Sequence, residues 1–187
     1  MALPVAQTVA LPTKPLPPGQ RVDPIRIDPG TLRRLAPAAA GRALGQPPDR
    51  VTEVIWSEGG DELSIDPAKL DLRTVNGIVV FALPVRCDQS GQGIVQIPLA
   101  VGAPDQGAGM FAAAPRRPIG PNVVVDRWGD ALVALAWGTL VELVNQVAAS
   151  AGRDDNGNPL IPGSIEAADG TLVVTPYARH PLGPLLK

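Results

Sequence analysis

The chain has 187 residues, 45% of them hydrophobic and 18% charged, with a net charge of −2 and one cysteine, Cys87. That balance excludes a wholly disordered chain, an intrachain disulfide and a multi-cysteine metal site, and it supports one domain with a real core. Aromatics are 3% of the chain against 22 prolines and 20 glycines, so the core must be aliphatic and the connections rich in turns.

The first thirty residues hold seven prolines and no helical or strand period. Proline fixes φ and removes donors, so residues 1–30 are expected to form an extended, polyproline-like arm that orders only against a neighbour. Residues 1–50 carry seven basic against three acidic residues, a net +4, and the remainder nets −6. A basic arm on an acidic body suits head-to-tail contact between copies. Pro12, Lys14, Pro15, Pro17, Pro18, Arg21 and Arg26 are the arm residues expected at such an interface. The arm has no aromatics and no dense basic run, so direct nucleic-acid contact is not expected. It also lacks a charged segment leading into an apolar run, so the protein is expected to be made in the cytoplasm. The most apolar segment, Ala131 to Val141, is shorter than the roughly 20 residues of a membrane span, and no membrane contact is expected.

Asp28-Pro29 is a helix start, with Asp as cap and Pro in the first turn. Pro37 breaks the interior, which points to two short turns or one kinked helix over Thr31 to Leu44, closed by Gly45. Val51 to Ser57 and Glu62 to Ile65 read as strands around a Glu58-Gly59-Gly60-Asp61 turn. Ile78 to Cys87 and Ile94 to Val101 read as a hairpin, residues 78–101, around the Asp88 to Gly93 loop. Val79, Phe81, Leu83 and Val85 share one face, as do Val95, Ile97, Leu99 and Val101. Closing the loop symmetrically sets Val85 opposite Ile97, Leu83 opposite Leu99 and Pro84 opposite Pro98. Opposed prolines fit only where both missing N–H groups point outward, either on a projecting ribbon or in an ordinary sheet with a bulge.

Residues 103–122 form a Gly- and Pro-rich loop with Arg116 and Arg117, the last two expected interface residues. Asp126 reads as the cap of a long helix over 127–151, closed by Gly152. Its apolar stripe is Val133, Trp137, Leu140, Val144, Val147 and Ala151, and its first half is expected to be buried all round. The Asp154 to Asn158 segment is a turn, and so is Asp169-Gly170, which leads into a strand over Thr171 to Pro176. Pro159 stands where an EF-hand loop needs Gly, so side-chain-to-backbone turn bonding is expected there instead of calcium binding. Residues 181–187 form a Pro/Leu-rich tail.

Catalytic signals are thin. His180 is the one histidine, and no Gly-x-Ser-x-Gly elbow, phosphate loop, dinucleotide fingerprint or zinc spacing is present. Cys87 stands beside Arg86, which lowers a thiol pKa when the two meet, yet a lone cysteine without a base is normally a small hydrophobe. Neither a catalytic residue nor a cofactor is therefore assigned. The expected fold class is α+β: a small sheet and hairpin domain over 31–180 with one long buried helix, flanked by the N-terminal arm and the C-terminal tail. This order of parts is the kit of lattice-forming coat and decoration subunits, by fold-level analogy. The expected role is a structural subunit of a large symmetric assembly: a phage or virus particle, or a phage-tail-like particle, as a coat, decoration, tail or baseplate component. Its partners are then copies of itself or other proteins of the particle in which it resides. A protein-binding module presenting the 88–93 loop is the alternative, and an enzyme using acids such as Glu58, Asp61 and Glu62 is the third reading.

Overall fold

The computed structural model describes residues 23–178 apart from 48, 103–111, 155 and 169. In chain order the described elements are β1 (Ile25–Ile27), α1 (Pro29–Ala43), β2 (Val54–Glu58), β3 (Asp61–Ile65), a 3-10 turn (Pro67–Lys69) and β4 (Asp71–Val75), followed by β5 (Ile78–Cys87), β6 (Gly91–Val101), β7 (Ala112–Ala113), α2 (Asn122–Ser150), β8 (Ile161–Ala168) and β9 (Thr171–Tyr177). The strands make two antiparallel sheets. One runs β2-β3-β5-β6-β7 with β4 also on β5, and the other runs β1-β9-β8. Together with the two helices they form an α+β domain with one shared apolar core, to which Leu63, Phe81, Ile97, Leu132, Leu143, Ile165 and Leu172 all contribute.

Within the expected 1–30 arm, residues 1–22 lie outside the described residues, and so do 103–111, His180 and the 181–187 tail. Residues 25–30 belong to the body instead, because Ile25–Ile27 pairs with β9 and Pro29 opens α1. The Asp28 carboxylate accepts the backbone N–H of Thr31 at 3.0 Å and its hydroxyl at 2.7 Å, which satisfies orphan donors of the first turn. α1 runs unbroken through Pro37. Burial of Leu32, Ala36, Ala39 and Ala40 outweighs the lost hydrogen bond, so the helix is neither split nor ended there.

Glu58 pairs with Asp61 across Gly59 and Gly60, whose φ values of 60° and 88° are those of a two-residue hairpin turn. β3 and β4 then share one edge of β5: residues 63–65 pair with 85–87, and residues 71–75 pair with 78–82. The five residues between them include the 3-10 turn, where the Asp66 side chain caps Ala68 at 3.1 Å.

The β5–β6 hairpin exists, but its register differs from symmetric closure of a six-residue loop. Cys87 pairs with Gly91, so the free loop is Asp88-Gln89-Ser90, and every partner moves by four residues. Leu83 faces Val95, Pro84 faces Ile94, and Pro98 faces Val80. An even shift leaves each side chain on its original face, so the predicted buried set is unchanged. Pro84 falls in the gap where β5 changes partner from β4 to β3. Pro98 falls on the outer edge of β6, between the Gln96–Ile119 bridge and the Ala100–Ala113 pair. Each missing N–H therefore sits where no ladder bond is due. The hairpin is thus the middle of a sheet and not a projecting ribbon. An opposed proline pair does occur, at Pro162 and Pro176, beside a bulge at Gly163.

α2 begins at Asn122, five residues before the expected start, and Asp126 is not its cap. The carbonyl of Pro121 accepts the N–H groups of Val124 and Val125, both at 3.0 Å, and burial of those two valines outweighs their low helix propensity. The buried arc also differs. Val124, Trp128, Leu132, Leu135, Ala136 and Leu143 join Leu140, Val144 and Val147 inside, while Ala131, Ala134 and Trp137 face outward. Both sheets and α1 pack on this helix, so its covered arc is wider than one stripe and rotated from it. Thr139 is buried because its hydroxyl donates to the Leu135 carbonyl at 2.8 Å. α2 is long and apolar enough to cross a bilayer, and half of its 18-residue apolar window is buried inside the fold.

Candidate assembly surfaces

β1 runs antiparallel to β9, with Ile25 opposite Val174 and Ile27 opposite Leu172. The chain before β1 and the chain after Tyr177 therefore leave the body from the same end of the same small sheet, on neighbouring strands. Arg26 is exposed on β1, in a row that continues through Val173 to Glu166. Pro12, Lys14, Pro15, Pro17, Pro18 and Arg21 lie outside the described residues. Arg116 and Arg117 are exposed and belong to the approach to α2, beside the other sheet. Arg117 pairs with Asp126 at 3.1 Å, and with both side chains about 70% exposed the pair adds little stability (72% and 68%). Arg26 is thus on a strand of the smaller sheet, whereas the Arg116–Arg117 pair is in the irregular segment between β7 and α2.

The described end of the 103–122 segment is tied down. Ala112–Ala113 pairs with β6, and Ile119 exchanges two backbone hydrogen bonds with Gln96, both at 2.8 Å. At the start of α2 the Arg127 guanidinium pairs with Asp61 and donates to the Glu58 carbonyl at 3.3 Å, while Gln89 donates to Asp61 at 2.8 Å. These contacts join the β2–β3 turn, the β5–β6 turn and α2. Asp61 is held in that clamp, and the Asp88–Ser90 turn is pinned through Gln89. Arg127 also lies 5.5 Å over the ring of Trp128, whose buried indole nitrogen has no hydrogen-bond partner among the described residues.

Cys87 is buried at the end of β5, among the core side chains. Asp154 accepts the N–H groups of Asn156 at 2.9 Å and Asn158 at 2.8 Å, the local turn bonding read from the sequence. Among the described residues no group of three or more His, Cys, Asp or Glu is placed to hold a metal ion. The hydroxyl and then the N–H of Thr31 hold the Asp28 carboxyl low, and the hydrogen bond and charge of Asp66 hold the Lys69 ammonium high.

Sequence reasoning missed the outer face of the larger sheet. Ile55, Val75 and Ile94 are 56%, 49% and 57% exposed there, and Ile119, beside Gln96 on that face, is 48% exposed. Val80, Ala82 and Pro84 lie half-buried between them. The signal was present in β5, where Ile78 to Val85 is apolar at both parities. A strand with one solvated face alternates, and one with two covered faces does not.

No family model matches the chain, and neither a curated protein nor a solved structure matches it at a significant level.

Proposed function

We propose that this protein is a structural subunit of a large symmetric assembly, a phage or virus particle or a phage-tail-like particle, with a mechanical role. The observation that carries the reading is the launch point: two proline-rich end segments leave a closed body side by side, from β1 and β9. A closed body with both ends of its described chain side by side at one sheet edge can hold neighbours at a fixed point through the segments beyond them. Proline suits such straps, since its fixed φ lowers the entropy lost when an extended segment is immobilised on a partner. Its partners are copies of itself or other structural proteins of the same particle, and Arg26 and the Arg116–Arg117 pair supply polar contacts around the straps.

The test is deletion of residues 2–22, which leaves Asp23, Pro24 and β1 in place. Circular dichroism is expected to report a folded body with near-normal melting, and sedimentation velocity the loss of the higher-order species formed by the full chain. A folded deletion variant that assembles like the full chain would sink the proposal.

A further inference from the structure

We infer that the outer face of the six-stranded sheet is the seat for residues 1–22 of a second copy of this chain, an inference that rests on the assembly role proposed above and names its contact. Among the described residues, four of the five exposed large apolar side chains, Ile55, Val75, Ile94 and Ile119, are on or beside this one face; the fifth, Trp137, is on α2. Isolated exposed aliphatics need no explanation, but a cluster across a single sheet face marks a contact surface. Its centre, around Val80, Ala82, Pro84 and Ile94, carries no charge. Asp71, on the β4 side of the face, is engaged by Arg33 at 3.1 Å, Arg73 stands on the edge strand β4 opposite Val80, and Arg86, opposite Ser64, lies between Ile55 and the Pro84–Ile94 pair.

The occupant follows from what the face offers and what residues 1–22 contain. The face presents apolar side chains and no free ladder, so it suits a segment that lays apolar side chains on it while its own backbone groups stay in water, as those of a polyproline helix do. Residues 1–22 include five prolines and only two charged side chains, Lys14 and Arg21. Taken three apart, the period of a polyproline helix, Leu3, Ala6, Val9, Pro12, Pro15 and Pro18 form an unbroken apolar line. At about 3.1 Å per residue the segment reaches roughly 68 Å, whereas the 11 residues of β6 span about 37 Å. It is long enough to leave one body and cross the sheet of the next. The segment departs from the three-stranded sheet, whose inner face lies on the common core, and the seat turns away from that core. Launch point and seat thus belong to different sheets, which favours a neighbour's segment over the chain's own.

The experiment uses the full chain with a photocrosslinking benzoylphenylalanine in place of Val9, in 15N-labelled protein mixed with unlabelled protein. Crosslinks from labelled Val9 sites to unlabelled β4, β5 and β6 peptides are expected. Crosslinks confined to chains of one isotope, or mapping elsewhere, or absent, overturn the inference. In parallel, Val75→Glu with Ile94→Glu is expected to keep the melting curve, both sites being half exposed, and to lose the sedimenting oligomer as completely as deletion of 2–22 does. If the deletion dissolves the oligomer and the double variant keeps it, the seat is wrong and the assembly role stands. If neither change affects assembly, the role itself falls.

Discussion

In the six-stranded sheet most pairings join neighbours in sequence, across Gly59-Gly60, Asn76-Gly77 and Asp88 to Ser90, while the three-stranded sheet brings Ile25 to Val174 from opposite ends of the described chain. The larger sheet therefore carries its own instructions in turns and alternation. In the smaller one the β8–β9 hairpin does the same, and only β1 depends on the rest of the body having already formed. Its strands also meet under tighter constraint: a Cβ added at Gly163 would fall within the ring of Tyr177. The difference teaches that the larger sheet anchors the core, whereas the smaller one closes the body and aims the end segments.

The sharpest way to break this comparison is at the centre of the larger sheet. Phe81 is fully buried there, and Phe81→Ala is expected to cost about 3–5 kcal/mol in urea unfolding, enough to abolish a marginal fold. Gly163→Ala is expected to cost less, about 1–3 kcal/mol, through overpacking against Tyr177. It should speed amide exchange in β1, β8 and β9 before β5 and β6. A larger loss from Gly163→Ala than from Phe81→Ala would reverse the ranking of the two sheets. The smallest effect sharpens the link between β1 and α1. The fold holds the Asp28 carboxyl below its ordinary 3.8, so the ionised form stabilises. Its contribution is complete above that value and is lost as pH falls through the lower folded value. Asp28→Ala should melt below the wild type at neutral pH, and the gap should close in acid below 3.8. A gap that does not change with pH would mean that the charge is irrelevant to the cap.

Much of the larger sheet was legible because its signals are local. The alternation of Val79, Phe81, Leu83 and Val85 located the core face, and the Gly59-Gly60 turn located β2 and β3. The register was not legible, because Gly91 and Gly93 read as loop while Cys87 and Gly91 in fact close the ladder. β4 was missed although Asn76-Gly77 is a strong hairpin signal, with φ of 45° and 79°. β1 was absorbed into the proline-rich arm, since three residues, Ile25 to Ile27, carry no period and gain their conformation only from β9. The start of α2 was misplaced because three consecutive valines argue for a strand until tertiary burial outweighs them. At the candidate surfaces, the residue types at Arg26, Arg116 and Arg117 were visible in the sequence. Their placement in separate elements, Arg26 on β1 and the pair between β7 and α2, was not, nor was the gathering of Ile55, Val75, Ile94 and Ile119 on one face, because both depend on pairings between distant segments.

The pairing of β1 with β9 also sets an order of events during synthesis. Residues 25–27 emerge early but have no partner until residue 174 has left the ribosome, so the body stays open at that edge while α2 and the larger sheet collapse. The launch point of the proline-rich segment is completed last. If the straps bind as proposed, a subunit becomes competent to grip a neighbour only once its own chain is closed, and half-made copies are kept out of the assembly without any separate checkpoint.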